Sequence, residues 1–129
     1  MTICLFCNKK NNCDTVLICQ TCLKRESKRV ATQNKRSKKH NAGSLSIHDW
    51  LTVLAKSNFN CNHCTHHFSF LTLDHITSMC IGGKNNKDNI QALCSKCHEL
   101  KSKIETKKTG NKKKRIEAKE LETSYYDIL

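Results

Sequence analysis

The chain has 129 residues and a formal net charge of +12, with 37% hydrophobic residues, one Trp and no Pro. This length allows one domain with appendages, and so few apolar residues allow only a small core. The charge favours a polyanionic partner, and nucleic acid is favoured over an acidic membrane because no amphipathic apolar face accompanies the basic residues.

The ten cysteines are too many for ordinary core residues, and eight of them form four Cys-x-x-Cys pairs. Disulfide frameworks rarely repeat this spacing, whereas a zinc site uses it to aim two thiolates at one ion. Two zinc ions held by eight thiolates would lower the net charge to about +8. Residues 1–4 do not resemble a signal peptide and no stretch approaches membrane-spanning length, so we expect an intracellular protein, cytoplasmic or nuclear.

Residues 1–23 have the spacing of a small zinc ribbon, in which residues 15–18 form a strand that leads into the second knuckle. Cys13 lies between the pairs, as a free thiol or as a replacement for one ligand. The alternative is four unrelated thiols, and the sequence does not indicate whether the ribbon contacts DNA, contacts a protein or caps the fold. The predicted zinc ligands are Cys4, Cys7, Cys19 and Cys22.

Residues 24–44 are predicted to be a basic linker, in which Glu26 is the single acid among eight basic residues. The segment has no apolar stripe, so it is either a solvated helix or a flexible linker. Because it lies between two zinc modules, an arm that contacts phosphate is an equally weighted alternative to a merely solvated face. Its basic residues are Lys24, Arg25, Lys28, Arg29, Lys35, Arg36, Lys38 and Lys39.

Residues 45–56 give the clearest helix prediction. Ser46 is a suitable N-cap, and Asp49 stands three residues on, in an Asp version of the capping box. Leu45 and Trp50 occupy the two positions of a hydrophobic staple, and an apolar stripe continues at helical spacing. We expect this helix to pack on the core without taking part in chemistry.

Residues 45–108 form the predicted core, which contains a ββα unit. A strand over 68–73 runs to His75, a polar loop surrounds Gly82-Gly83, a second strand covers 89–93, and a helix extends from Ser95 to about Lys108. Two knuckles at the ends of this unit would hold one tetrahedral zinc through Cys61, Cys64, Cys94 and Cys97. The predicted fold class is therefore small, α+β and zinc-stabilised, with a ββα core preceded by a helix and a zinc ribbon. Residues 109–129 are a tail, first basic and then acidic.

Several spaced elements of this core resemble the HNH family of ββα-metal endonucleases. They are Asp74-His75-Ile76, then Gly82-Gly83, and then the run from Asn89 through Cys94-x-x-Cys97-His98 to Lys101. The resemblance covers roughly 40 of the 129 residues. The family often has a Pro shortly after the Asp-His pair, where this chain has Thr77-Ser78.

The resemblance implies a catalytic site that cuts one phosphodiester bond with a single Mg²⁺ or Mn²⁺ ion. Within it His75 resembles the general base, Asp74 and His98 resemble the metal ligands, and Asn89 resembles the residue that positions the loop and the base. Imidazole chemistry agrees, since histidine titrates near neutral pH. Neighbours in a regular strand point to opposite faces, so Asp74 and His75 can share a site only if the strand ends or twists there.

Each of these residues has a structural alternative. His75 could be a structural histidine or a zinc ligand, Asp74 and Asn89 could belong to the turn, and His98 could be a surface residue. The candidate DNA contacts are Lys101, Lys84 and Lys96, although an exposed helical Lys101 is nearly as well supported. Most of the remaining polar candidates are predicted to lie at the surface or to be free thiols: His63, His66, His67 and Cys80.

Together these features predict a metal-dependent DNA endonuclease that holds DNA mainly through its phosphate backbone. The alternative is a non-catalytic zinc-ribbon protein that binds nucleic acid. No membrane partner is expected, and a homodimer or larger complex is compatible with paired cuts. The frequent Lys, Asn and Ile weakly indicate an AT-rich genome, as in a virus or a mobile element.

Overall fold

The structure is a computed structural model that describes residues 2–11 and 18–109. In chain order the elements are β1 (Thr2–Ile3), β2 (Lys10–Asn11), α1 (Gln20–Lys38), α2 (Ile47–Lys56), β3 (Thr72–His75), β4 (Ile90–Leu93) and α3 (Ser95–Thr109). Short 3₁₀ turns lie at Met79–Ile81 and Lys87–Asn89. Cys13, most of the strand predicted at 15–18 and the tail after 109 lie outside the described residues, in which no helix is long and apolar enough to span a membrane.

Helix α2 begins as the sequence predicts. The backbone N–H of Asp49 donates to the Ser46 side chain, and the Asp49 carboxylate accepts from the Ser46 backbone, which completes a capping box. Leu45 and Trp50 are both buried, as expected for the two ends of a hydrophobic staple. The buried face of α2 packs against β4.

The N-terminal ribbon packs on the rest of the protein. Strands β1 and β2 pair in antiparallel register, and the buried Phe6 beside them meets Phe59 edge-to-face with ring centroids 5.5 Å apart. The backbone oxygen of Phe6 also lies 2.9 Å from Nε2 of His67, which closely follows the Cys61–Cys64 knuckle. The ribbon and the ββα unit therefore share one apolar core.

Residues 24–38, predicted to be a basic linker or solvated helix, lie within α1, and one face of this helix is buried. Glu26 on that face is fully buried and accepts hydrogen bonds from Arg25, Arg29 and the indole N–H of Trp50 at 2.8–2.9 Å. The guanidinium of Arg29 lies 4.6 Å from the centre of the Phe70 ring. These contacts join α1 to α2 and to the loop before β3. The division of the chain into the four segments predicted above remains a prediction.

The two strands of the ββα unit form a short antiparallel hairpin in which Thr72 pairs with Leu93 and His75 with Ile90. The sequence predicted a longer strand over residues 68–73, but this prediction was wrong for residues 68–71, since β3 begins at Thr72. The physical reason lies in the partner strand: β4 ends at Leu93, because Cys94 belongs to a four-cysteine cluster and α3 begins at the next residue, Ser95.

Candidate active site

Two clusters of four cysteines have the geometry of tetrahedral zinc sites. Within each cluster all sulfur atoms lie within 4.8 Å of one another. The Cys7–Cys19 and Cys64–Cys94 sulfurs are 3.7 and 3.9 Å apart. Tetrahedral Zn–S bonds of about 2.3 Å place neighbouring sulfurs about 3.8 Å apart, whereas a disulfide needs about 2.0 Å. The clusters are Cys4, Cys7, Cys19, Cys22 and Cys61, Cys64, Cys94, Cys97.

The backbone around the clusters stabilises thiolates. Burial raises the pKa of the Cys4 thiol, but backbone N–H groups, led by that of Cys7, outweigh burial and lower the pKa to about 6. At Cys61 burial likewise opposes backbone N–H groups, led by that of Cys94, and the pKa is again lowered. Because zinc binds the thiolate form, the lowered pKa values of Cys4 and Cys61 favour the metal, whereas burial raises the pKa values of Cys22, Cys64 and Cys97.

The loop between β3 and β4 is fastened by Asn89. Its side-chain oxygen accepts from the backbone N–H of Thr77 at 2.9 Å, and its amide donates to the backbone oxygens of Thr77 and Lys84 at 3.0 and 2.7 Å. A Cβ on Gly83 would lie 1.9 Å from the oxygen of Thr77, so only glycine fits there. The Asn89 side chain therefore links Thr77 to Lys84 and closes the loop that follows His75.

Ser78 lies in the part of the loop where the family that the sequence resembles often has a proline. Its φ of −58° and ψ of 139° lie close to the values that proline favours. Its side chain also accepts from the backbone N–H of Cys80 at 3.2 Å, which caps the following 3₁₀ turn. The serine thus gives the loop a proline-like entry and adds a cap.

Asp74, His75 and His98 line one cavity of about 110 Å³ between β3, the loop and α3. Oδ1 of the buried Asp74 lies 3.5 Å from Nε2 of His98, whose side chain is 42% exposed. Gln91, which pairs with Asp74 across the strands, donates to Asp74 Oδ2 at 2.9 Å. The carboxylate is therefore held through one oxygen, while its other oxygen faces His98.

His75 is the last residue of β3, so the strand ends where the shared site requires it to end. Its Nε2 lies 2.8 Å from Oδ1 of Asn85. Burial lowers the pKa of the imidazole below its usual value, and the charges of Arg36 and Lys101 lower it further, against opposing effects of Asn85 and Asp74. A lowered pKa keeps the ring neutral at neutral pH, as a proton acceptor requires.

Lys101 does not have the exposed position that a phosphate contact would need, and this expectation is corrected. Its side chain is only 2% exposed, and its ammonium lies 3.3 Å from Asp74 Oδ2 and 3.1 Å from the backbone oxygen of His75. It also pairs with Glu105 one helical turn further on. Lys101 therefore helps to hold the buried Asp74 carboxylate in place. A buried ammonium is itself stable only among such partners.

Helix α1 supplies a wall of the cavity that the sequence did not predict. Arg36 and, just after the helix, His40 line the cavity beside His75 and His98. Asn85 and Gln91 were missed as well. An antiparallel pairing that places Gln91 opposite Asp74 could have revealed Gln91, but no sequence signal indicates Asn85. Arg36 was predicted only as one of eight basic residues of a possible phosphate-contacting arm, and no signal placed it beside His75. Lys84 and Lys96 are exposed and do not line the cavity, so DNA contact by either remains a prediction.

The comparisons agree with this geometry. Residues 61–103 match the family described as HNH endonuclease, a segment that begins at the knuckle of Cys61 and includes β3, β4 and most of α3. No curated protein and no solved structure gives a significant match to the chain. The matched segment holds one four-cysteine cluster together with Asp74, His75, Asn89 and His98, and the other cluster fits a zinc ribbon. Residues 61–103, about a third of the chain, therefore match the HNH endonuclease family in sequence and carry one of the two four-cysteine clusters.

Proposed function

We propose that the protein is a metal-dependent DNA endonuclease that hydrolyses phosphodiester bonds by a one-metal HNH mechanism. One observation carries the proposal: Asp74 Oδ1 lies 3.5 Å from His98 Nε2, and both residues share a cavity with His75. A structural role alone would not require two histidines and a carboxylate to converge beside a cavity that reaches the surface. The family of residues 61–103 supports the same reaction class.

In this mechanism His75 accepts a proton from the attacking water. The ring is positioned for this by its hydrogen bond to Asn85, and the lowered pKa keeps it unprotonated at neutral pH. Asn89 keeps the loop closed against the end of β3, so the imidazole has little freedom to turn away. Lys101 and Gln91 hold the Asp74 carboxylate in one orientation.

Asp74 and His98 are the residues that would hold a catalytic Mg²⁺ or Mn²⁺ ion. Their facing atoms are 3.5 Å apart, and adjacent ligands of an octahedral Mg²⁺ at about 2.1 Å lie about 3 Å apart, so the pair fits after a small side-chain movement. The ion would supply positive charge at the phosphate and at the leaving oxygen. Two protein ligands leave room for water and phosphate.

The basic residues of α1 other than Arg25 and Arg29, which pair with Glu26, are proposed to contact the DNA backbone. Arg36 is the member of this set that lines the cavity, and among the described residues it pairs with no carboxylate. Its Nη1 lies 3.5 Å from the Gln33 side-chain oxygen, a neutral partner, so its charge is available for a phosphate oxygen next to the scissile bond. If the basic segments neutralise about six phosphates, log K should fall with log salt at a slope of about −5.

Nicking of supercoiled plasmid by the zinc-loaded protein tests the proposal. We expect nicks with added Mg²⁺ or Mn²⁺ and none without it, while DNA binding persists in both conditions. The matched control is His48→Ala, which removes an exposed histidine on α2, away from the cavity. Binding without nicking under any divalent ion would instead support a non-catalytic zinc-ribbon protein. A single active site cuts one strand, so paired cuts would require a homodimer or a larger complex.

An intracellular compartment is proposed on separate grounds. Both four-cysteine clusters need reduced thiols to bind zinc, and such thiols persist where glutathione and thioredoxin keep them reduced. Zinc analysis of protein purified from cells under nonreducing conditions tests this point, and oxidised clusters without metal would contradict it.

A further inference from the structure

We propose that two asparagines, Asn85 and Asn34, fix the tautomer of His75, so that Nδ1 is the nitrogen that accepts the proton. This inference rests on the proposed function for its catalytic meaning. It makes α1, which lies outside the segment that matches the family, a positioning element of the active site. Neither asparagine touches the substrate; both act through His75.

The chain of hydrogen bonds starts at the backbone of Leu45, where the donor and the acceptor are known without ambiguity. The N–H of Leu45 donates to Oδ1 of Asn34 at 2.7 Å, and the Leu45 oxygen accepts from Nδ2 of Asn34 at 2.9 Å. A backbone N–H can only donate and a backbone oxygen can only accept, so the orientation of the Asn34 amide follows from its neighbours. Its oxygen therefore has to face both Leu45 and Asn85.

The same reasoning passes from Asn34 to Asn85. The side chain of Asn85 is 1% exposed, and its Nδ2 lies 3.0 Å from Oδ1 of Asn34 and 3.3 Å from the backbone oxygen of Gly43. Both of these neighbours are acceptors, so the group that faces them must be the amide N–H₂. The Asn85 oxygen is thereby turned toward His75.

The last step assigns the imidazole hydrogen. His75 Nε2 lies 2.8 Å from this oxygen, which can only accept, so Nε2 has to carry the hydrogen. In the neutral ring the lone pair is then on Nδ1, and Nδ1 is the only nitrogen able to take a proton from water. If the amide of Asn85 were reversed, the hydrogen would move to Nδ1 and the base would be lost.

Nitrogen-15 NMR of the full-length, zinc-loaded protein without added Mg²⁺ reads the tautomer directly. The ring signals of His75 are assigned by their loss in His75→Gln. We expect Nε2 of His75 to show the shift of a protonated ring nitrogen and Nδ1 that of an unprotonated one. The opposite pattern in the wild type would overturn the proposal, whatever the cleavage activity.

Two substitutions at one position then test the role of α1. Asn34→Asp keeps an oxygen for the Asn85 amide, whereas Asn34→Leu removes it, and both lose the hydrogen bond to the Leu45 oxygen. We expect Asn34→Leu to populate the other tautomer and to lower kcat by about 10–100-fold with little change in KM, the usual effect of losing an outer positioning group. Asn34→Asp should keep the tautomer and most of kcat. Thr32→Ala, on an exposed position of the same helix, is the control for helix stability.

The outcomes separate this inference from the proposed function. Equal losses of kcat in the two Asn34 variants would indicate a purely structural residue and refute the inference. If Asn34→Leu does not fold, the wild-type spectrum and the activity of Asn34→Asp still decide. A wild type with hydrogen on Nε2 that never cuts DNA would refute the nuclease proposal alone. A wild type that cuts DNA with hydrogen on Nδ1 would refute the asparagine chain alone.

Discussion

Replacing His75 or His98 by alanine should abolish cleavage for two different reasons. His75→Ala removes the proposed base, which should lower kcat by about 10²–10⁴-fold, or about 2.7–5.5 kcal/mol in the barrier. The cost in stability should be only about 1 kcal/mol, because among the described residues Asn85 is the side-chain partner left unsatisfied. In the described part of the chain His75 contacts no cysteine sulfur, so zinc content should not change.

His98→Ala should act on the catalytic metal. The side chain is 42% exposed and meets Asp74, so its removal should barely affect folding. It should raise the Mg²⁺ concentration needed for half-maximal cleavage, and excess Mn²⁺ should partly restore activity, whereas no metal concentration should rescue His75→Ala. Single-turnover plasmid cleavage over a titration of each metal distinguishes the two variants.

Two results would refute this division of roles. If His75→Ala loses zinc and unfolds, the histidine is a structural ligand. If it cuts at the normal rate, His75 is not the base, and the mechanism proposed here is wrong. His48→Ala should behave as the wild type in every assay.

Three other expectations follow from single contacts. Cys94→Ser should lose one of about two zinc ions per chain and unfold the ββα unit, as metal analysis with circular dichroism would show. The control Cys80→Ser, outside both clusters, should keep both ions. A folded Cys94→Ser protein would contradict this expectation. Glu26→Ala should lower the free energy of unfolding in urea by about 3 kcal/mol, because it leaves buried donors unpaired. The control Glu99→Ala, at a side chain that is 68% exposed, should lower it by less than about 1 kcal/mol. Equal losses in the two variants would contradict this expectation. Arg36→Ala should lower kcat about tenfold, whereas removal of the neighbouring Lys35 charge should weaken DNA binding without changing kcat. Equal effects of the two substitutions on kcat and on DNA affinity would exclude a specific catalytic role for Arg36.

The sequence predicted the elements that local chemistry determines. The capping box of α2 and the four cysteine pairs involve residues a few positions apart, and the structure confirms both. The second strand and the last helix also lie close to their predicted ranges, at Ile90–Leu93 and Ser95–Thr109. Each of these features carries its signal within one short stretch of chain.

Helix α1 was harder to interpret because its buried face is not apolar. Its buried residues are Cys22, Glu26, Val30 and Ser37, which follow helical spacing. A search for an apolar stripe does not find this face, because the face includes the charged Glu26. Glu26 is buried there because Arg25, Arg29 and Trp50 donate hydrogen bonds to it. Lys101 was misjudged for the same reason. Its burial depends on Asp74, which lies far away in sequence.

The zinc cluster of the ββα unit also bears on the catalytic geometry. Cys94 follows the last residue of β4 and Cys97 precedes His98, so the knuckle sets where α3 begins relative to the hairpin. The first knuckle is tied to the same strand, because the N–H of Asn62 donates to the oxygen of Ala92 at 2.8 Å.

Apolar packing alone would hold α3 weakly. Ile104 is its fully buried aliphatic residue among those described, while Lys101 and Glu105 fill much of the remaining buried face. Buried ion pairs contribute little net stability, since desolvation offsets their attraction, so the metal at the start of the helix has to provide the anchor. We therefore expect the 3.5 Å separation of Asp74 and His98 to depend on zinc at the Cys61, Cys64, Cys94 and Cys97 cluster. Zinc in this structural site would then be a precondition for placing Asp74 and His98, the proposed ligands of the catalytic ion.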